Sequence, residues 1–286
     1  MPVPEMGKPP YVCAGGGAAA IERRAEQVPA VWDFGMGCTR SVLGVSVASL
    51  GWEEALSQLA GFVRDRRFTK VTFLNAHNAN IASVDDSFAG ALDDFLVLPD
   101  GIGVDIAAML LYGRKFPANL NGTDFVPDLL MAIKEPLTVG LLGATRANAE
   151  GAGARLRQLV PQHRIVVFND GFFSPTEEAR IVQQLAEHRP DILLVAMGVP
   201  RQELWIARNL DHRHCTLPLA VGALFDFLSG AVPRAPLWLR RLRLEWAFRL
   251  AVEPGRMWRR YLIGNPLFLC RVMRQKRTAS PVRIKR

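Results

Sequence analysis

LTVGLLGATRANAEGAGARLRQLVPQHRIVVFNDG, residues 137–171, decides the fold. Leu137–Leu142 is an apolar run of strand length, closed by Gly143. Arg146–Leu159 follows with helical spacing. Ile165–Phe168 is a second apolar run, closed by Asn169-Asp170-Gly171. A strand, a glycine turn, a helix and another strand make the unit of a parallel sheet, because parallel neighbours need a crossover between them. The unit recurs on both sides. Val71–Asn75 reads as a buried strand with a helical stretch from Asn78. Phe95–Leu98 stops at Pro99-Asp100-Gly101, ahead of helical Val104–Tyr112. Pro175–His188 is a helix with Ser174 as its N-cap and Glu177 and Glu178 in the first turn. Ile192–Ala196 is a strand closed by Met197-Gly198, and Pro200 opens a helix. Leu217–Val221 is the last strand, closed by Gly222. The expected fold is α/β: a doubly wound, largely parallel sheet with helices on both faces.

Charge divides the chain differently. Residues 234–286 carry 15 Lys and Arg against 2 Asp and Glu, while the whole chain of 286 residues carries 35 against 27. The basic segment interleaves its charge with Trp238, Leu242, Trp246, Phe248, Trp258, Tyr261 and Phe268. Read as one helix, Leu237–Leu250 places Trp238, Leu242, Trp246 and Arg249 on a stripe. A cationic, aromatic segment of this kind fits an anionic membrane surface, where each nearby basic residue adds roughly 1 kcal/mol. The expected organisation is a loose segment at 1–40, an α/β core at 41–233 and a basic, amphipathic helical C-terminal appendage at 234–286. No apolar run approaches the roughly 18–20 residues of a membrane span. Met1–Ala20 lacks the basic and apolar regions of a secretory leader. Cys13, Cys38, Cys215 and Cys270 form no CxxC pair, so neither a zinc site nor a disulfide framework is expected. A cytosolic protein with reduced thiols, whose tail meets an anionic membrane surface, accommodates these features.

In sheets of this class ligands bind outside the carboxyl ends of the strands. Those ends hold Asn75, Asp100-Gly101, Gly143, Asp170-Gly171, Gly198 and Gly222. Each glycine also marks an element boundary; together they suggest a nucleotide, because bare backbone amides and helix N-termini receive phosphate. Gly101-Ile102-Gly103 and Gly151-Ala152-Gly153 are fragments of a dinucleotide fingerprint, neither completing GxGxxG. No phosphate-binding GxxxxGK loop and no GxSxG elbow occur. His212 and His214 lack nearby ligand partners. No Asp-x-Asp is present to hold a divalent cation against a diphosphate. Neither a metal nor another cofactor is expected; arginines and helix dipoles are left to carry the charge of a leaving diphosphate.

An ordered set of strings resembles the WecG/TagA/CpsF glycosyltransferases. They are Leu74-Asn75-Ala76, Leu98 through Val104, Asn121-Gly122-Thr123-Asp124, Leu141-Leu142-Gly143, Asp170 through Phe173, Met197 through Glu203, Val221-Gly222-Ala223, Arg234-Ala235-Pro236, and Glu245-Trp246 with Arg249, Glu253-Pro254 and Arg256. The resemblance implies an inverting transferase. It moves a hexose or N-acetylhexosamine-type sugar from a UDP-sugar to a polyprenyl-diphosphate-linked acceptor, as members do for teichoic-acid linkage units, enterobacterial common antigen and xanthan-like exopolysaccharides. It implies Asp100 as general base, since an in-line displacement needs one carboxylate to take the acceptor proton. An Asx-turn is the other account of that residue. Asn75 is placed on the donor sugar or acceptor, or else as the cap of the next helix. Gly101, Asn121, Thr123 and Asp124 face the sugar or acceptor, Thr123 doubling as a helix cap. Gly143, Gly198, Arg201, Gln202, Glu203, Gly222 and Asp226 surround the nucleotide. Gln202 reads uracil or ribose, and Glu203 binds ribose hydroxyls or sits in a first helical turn. Arg234, Arg249 and Arg256 neutralise a diphosphate. Arg240, Arg241, Arg243, Arg259, Arg260, Arg271 and Arg274 form a solvated or lipid-facing surface. Phe73 stands where teichoic-acid members carry threonine, which tilts the expectation toward an exopolysaccharide hexosyltransferase.

Three rival classes stand beside this one. A nucleic-acid-binding protein would use the basic aromatic tail but would not need the α/β body; no nucleic-acid partner is expected. A nicotinamide oxidoreductase lacks its fingerprint. A non-catalytic scaffold of a polysaccharide assembly complex would not need Asp100. A homo-oligomer through the core accompanies the transferase reading, with the tail exchanging between bound and free states.

Overall fold

The computed structural model describes residues 39–236, 238–239 and 244–278, and of Arg256 the backbone only. The expected loose segment lies almost wholly outside these residues. β1 (Thr39–Val42) and β2 (Val45–Ala48) form an antiparallel hairpin across Leu43-Gly44, both at positive φ. That is the two-residue turn whose twist matches its strands. The chain continues through α1 (Trp52–Arg64), β3 (Lys70–Leu74), α2 (Ala76–Ala82), α3 (Asp86–Leu92), β4 (Phe95–Pro99), α4 (Ile102–Tyr112) and α5 (Gly122–Ala132). It then runs through β5 (Thr138–Gly143), α6 (Arg146–Leu159), β6 (Arg164–Asn169), α7 (Pro175–His188), β7 (Ile192–Ala196), α8 (Arg201–Asn209), β8 (Leu217–Ala220) and α9 (Leu224–Leu228).

β3 to β8 form one sheet in the order β4-β3-β8-β7-β5-β6, every pair parallel. All residues of β4, β7 and β8 are buried, as expected of strands covered on both faces. One face packs Leu59 of α1, Phe125 and Leu129 of α5, and Leu156 of α6. The other packs Phe88 of α3, Val104 of α4, Leu185 of α7 and Trp205 of α8. The doubly wound α/β fold is therefore present. Arg146–Leu159, Pro175–His188 and Ile192–Ala196 form where their patterns place them. α2 starts at Ala76 rather than Asn78, because Asn75 caps it. The hairpin, α1, α3 and α9 have no counterpart in the sequence reading; of α5 only the start near Thr123 is anticipated, and Pro127, which removes a backbone donor, argues against a helix continuing there.

The C-terminal segment departs furthest from expectation. Leu237 and Arg240–Arg243 lie outside the described residues. Leu244 is off-helix at φ −99 and ψ 21, with its amide on Leu239 O at 2.9 Å, and α10 (Glu245–Val252) begins only after it. Trp238 and Trp246 therefore do not share one helical stripe. α11 (Pro254–Trp258) leads through a π-helical turn, Arg259–Ile263, into α12 (Gly264–Thr278). α12 belongs to the core: Phe268 and Val272 are fully buried in the same layer as Val104 and Trp205. Its polar side chains fasten it. Gln275 Oε1 accepts from Leu43 N at 2.9 Å, and Arg271 Nη1 donates to both Asn80 O and Asn80 Oδ1 at 2.9 Å. Arg271 is thus an internal strut, not part of the expected lipid-facing surface. Among the described residues no helix is long and apolar enough to cross a membrane.

The sheet's carboxyl edge depends on close backbone approach at Gly143. Its φ is +127, and a Cβ there would lie 2.3 Å from Ala196 O on the neighbouring strand. Gly143→Ala should lower stability by about 3 kcal/mol or more, read from urea denaturation. A midpoint equal to that of the parent would refute the close approach.

Candidate active site

Parallel register builds the site. Leu74 of β3 pairs with Pro99 of β4, so the residues that follow, Asn75 and Asp100, emerge side by side at the carboxyl edge. The Asp100 amide donates to Leu74 O at 2.9 Å. Asn75 Oδ1 accepts from the amides of His77 at 3.1 Å and Asn78 at 3.2 Å, starting α2. The same side chain hydrogen-bonds the Asp100 carboxyl, leaving the amide nitrogen as the donor. The two accounts of Asn75, helix cap and site residue, describe one geometry. Gly101, at φ +89, donates its amide to Asn119 Oδ1 at 2.6 Å and holds the Asp100 turn from its far side. Asn121 caps α5: its Oδ1 accepts the Asp124 amide at 3.0 Å and its Nδ2 donates to Asp124 Oδ2 at 3.1 Å. The expected cap, Thr123, does not serve, since Asn121 already occupies the N-cap position.

A cavity of about 600 Å³ opens over these residues. Asn75, His77 and Asp100 to Gly103 form its floor. Asn119, Asn121, Thr123 and Asp124 form one wall. Glu245, Trp246, Arg249, Arg260 and Tyr261 come down from the C-terminal segment as its roof, with the Trp246 and Tyr261 rings 5.9 Å apart. Asp100 retains some exposure toward the cavity and is otherwise enclosed. Enclosure raises its carboxyl pKa to about 6; the Asn75 hydrogen bond and the Arg260 charge oppose the rise, while Glu245 and Asp124 add to it. His77 is lowered to about 4, by burial first and by Arg260 second. At neutral pH the floor therefore presents an ionised Asp100 beside a neutral imidazole.

Of the expected site residues, the cavity gathers Asp100, Asn75, Gly101, Asn121, Thr123, Asp124 and Arg249. Arg234 stands behind the wall, its Nη2 at 2.8 Å from Asp124 Oδ1. Gly143, Gly198 and Gly222, all at positive φ, lie farther along the carboxyl edge and do not line the cavity. Arg201 is exposed, 5.3 Å from the Phe173 ring centroid. The Asp226 carboxylate accepts from Asn148 Nδ2 at 2.7 Å and ties α9 to α6. Two expectations are corrected. Gln202 and Glu203 are 2% and 0% exposed, so neither presents a side chain to a nucleotide, and Glu203 takes instead the other place expected of it, the first turn of α8. Gln202 Oε1 instead accepts the Gly222 amide at 3.1 Å. Glu203 Oε1 accepts from Thr72 Oγ1 at 3.0 Å and Gln202 Nε2 at 2.9 Å, and burial raises its pKa to about 7. They brace the turn after β8 from inside. The side chain of Arg256 is outside what is described.

Arg260 is a third correction: it roofs the cavity, although the sequence assigns it to the outer surface. Arg260 lies within the π-helical turn Arg259–Ile263, whose wider spacing departs from the α-helical period by which its facing would be read. The sequence also passes over His77. Taking Asn75 as a cap would place His77 in the first turn, directly over the strand ends.

The chain matches, over residues 40–281, the family model described as Glycosyl transferase WecG/TagA/CpsF family. It is similar to the N-acetylglucosaminyldiphosphoundecaprenol N-acetyl-beta-D-mannosaminyltransferase of Bacillus subtilis (strain 168), 32% identical over 185 residues that cover 63% of this chain and 69% of that protein. The protein of the same name from Bacillus spizizenii is 31% identical over 188 residues, covering 64% and 70%. That from Staphylococcus aureus is 29% identical over 182 residues, covering 63% and 70%.

Asp100 should titrate near pH 6 when its carboxyl carbon is followed by NMR. Replacing Arg260 by Gln should move the titration upward, and Glu245→Gln should move it downward. Because the folded pKa lies above the ordinary 3.8, this carboxyl favours folding fully below pH 4 and loses that contribution as pH rises through 6. Asp100→Asn should therefore raise thermal stability at pH 8 and change little at pH 4. Equal effects at both pH values would contradict the enclosure of Asp100.

Proposed function

The chain belongs to the WecG/TagA/CpsF family of glycosyl transferases, and we propose that it transfers a sugar, with inversion, from a UDP-sugar to a polyprenyl-diphosphate-linked saccharide. The observation that carries this reading is the enclosed Asp100 carboxylate with arginines standing opposite it. In the proposed step the acceptor hydroxyl oxygen attacks the anomeric carbon while its proton passes to Asp100. The bond from that carbon to the phosphate oxygen breaks, and UDP leaves with the electron pair. Arg249 and Arg260 face the cavity where that charge develops. Cations supplied by the chain itself support a reaction without a metal. His77, neutral above pH 4, offers a hydrogen bond without adding a second charge beside the base.

The nucleotide runs along the carboxyl edge from the cavity. β8 adjoins β3 and β7 adjoins β8, at about 4.8 Å per strand. The Gly222 and Gly198 turns are thus the next backbone amides beyond Asn75, and the buried Gln202 and Glu203 hold the first of them in place. For the donor, the names of the relatives favour an N-acetylmannosaminyl group, with a glucosyl group as the alternative. Phe73 does not argue otherwise, because it is buried against Gly122 and Phe125 and does not line the cavity.

The acceptor's lipid places the protein on the membrane surface. Leu262 at 59% exposure and Ile263 at 54% stand beside exposed Arg259 at the cavity's outer rim, and this mixture suits the headgroup region. Arg234, Arg249 and Arg271 are engaged inside the fold and are therefore not among the cations a nucleic-acid reading could use.

UDP release tests the proposal. Purified protein would receive UDP-N-acetylmannosamine or UDP-glucose with a prenyl-diphosphate-linked N-acetylglucosamine, in EDTA. Release should depend on the acceptor, fall at acid pH with an apparent pKa near 6, and drop by about 100-fold or more in Asp100→Asn. Undiminished release in that variant would remove Asp100 as the base. Release only with added metal would remove the metal-free step.

A further inference from the structure

Phe227 has no polar atom, yet it lies at the centre of the site's positive charge. It is carried by α9, the short helix that follows the last strand, and it lines the cavity. Two guanidiniums rest against its ring. Cζ of Arg249 is 5.1 Å from the ring centroid and Cζ of Arg234 is 5.8 Å. One comes from α10 and the other from the irregular stretch after α9, so this one ring joins the body of the fold to its roof. The ring's negative face attracts both guanidiniums. Asp124 Oδ1 takes Arg234 Nη2 at 2.8 Å, and Glu253 Oε2 reaches Arg249 Nη2 only at 3.4 Å. The Nε of Arg249 is buried with no hydrogen-bond partner among the described residues. Arg249 is thus held in place without its donors being fully used.

Recognition of an oxyanion by arginine needs the plane of the fork fixed. A long side chain otherwise loses rotamer freedom when it binds. A ring lying against the guanidinium removes that loss beforehand. We propose that Phe227 is a positioning residue, whose ring holds Arg249 as a clamp for a diphosphate at the cavity wall, with Arg234, paired to Asp124, bracing the ring from behind that wall. The inference rests on the reading of the site as one that handles diphosphates, and it deepens that reading by assigning the element that presents the cation. The diphosphate is that of the nucleotide donor or that of the prenyl acceptor.

Binding separates this inference from the transfer reaction. Inorganic pyrophosphate, UDP and geranyl diphosphate would each be titrated calorimetrically into the full chain, Phe227→Leu and Phe227→Tyr. Leucine keeps the apolar contact and loses the π face; tyrosine keeps both. Pyrophosphate binding should weaken about tenfold in Phe227→Leu and stay within about twofold of the parent in Phe227→Tyr. Phe227→Met replaces the leucine variant if that one melts far below the parent. A parallel loss for UDP assigns the clamp to the donor, and for geranyl diphosphate to the acceptor. In an Arg249→Ala background the leucine effect should largely vanish, which a loss of packing alone would not do. The inference is overturned if Phe227→Leu binds all three probes like the parent, if Phe227→Tyr fails as badly as leucine, or if the parent binds none. Ring-dependent binding without any sugar transfer would leave the clamp standing and sink the transferase reading alone.

Discussion

The Asn75 side chain is used at both ends, and the site depends on that double use. Its oxygen takes the His77 and Asn78 amides and starts α2; its nitrogen is then turned to Asp100. The parallel register of β3 and β4 sets the distance between the two residues, so the interaction follows from the sheet itself. A cap of this kind is worth about 1 kcal/mol to the helix. Here it also supplies one of the two attractions that keep an enclosed carboxylate from rising further above pH 6. The other is Arg260, which arrives from the opposite end of the chain.

That second attraction explains why the C-terminal segment belongs to the active site. Its last helix is fastened to β1, the Leu43 turn and Asn80, and it buries Phe268 and Val272 in the core. The roof between is lighter: none of α10 is fully buried, and it meets the body through the Phe227 ring under Arg249 and a 3.9 Å ion pair of Glu245 with Arg234. A firmly docked helix with a weakly buried roof before it suits a cavity that must admit a lipid-linked saccharide and close over a charged nucleotide. The outward face of the same segment carries the exposed Leu262 and Ile263, so the cavity mouth and the greasy surface are neighbours.

The sequence makes the sheet legible and the roof illegible, for physical reasons. Helices such as Arg146–Leu159 and Pro175–His188 announce themselves through Thr145 and Ser174 caps and a regular period. Asp100 shows because a turn after an apolar strand has only one place to be. The hairpin is hidden because Leu43-Gly44 is not among the usual turn pairs, and the extent of α5 beyond its start is hidden by Pro127. Motif order also misleads at Gln202 and Glu203: residues that travel together in a family string need not touch the ligand, and these two hold the Gly222 turn from within. For Arg260 no local pattern exists, since it lies within a π-helical turn.

The most direct test of the account is a crystal structure of the full chain with UDP bound. The account predicts diphosphate density inside the cavity, with oxygens in hydrogen-bond reach of Arg249 and the uridine extending from Asn75 toward the Gly222 turn. UDP lying over β5 and β6, with the space above Asp100 empty, would contradict it.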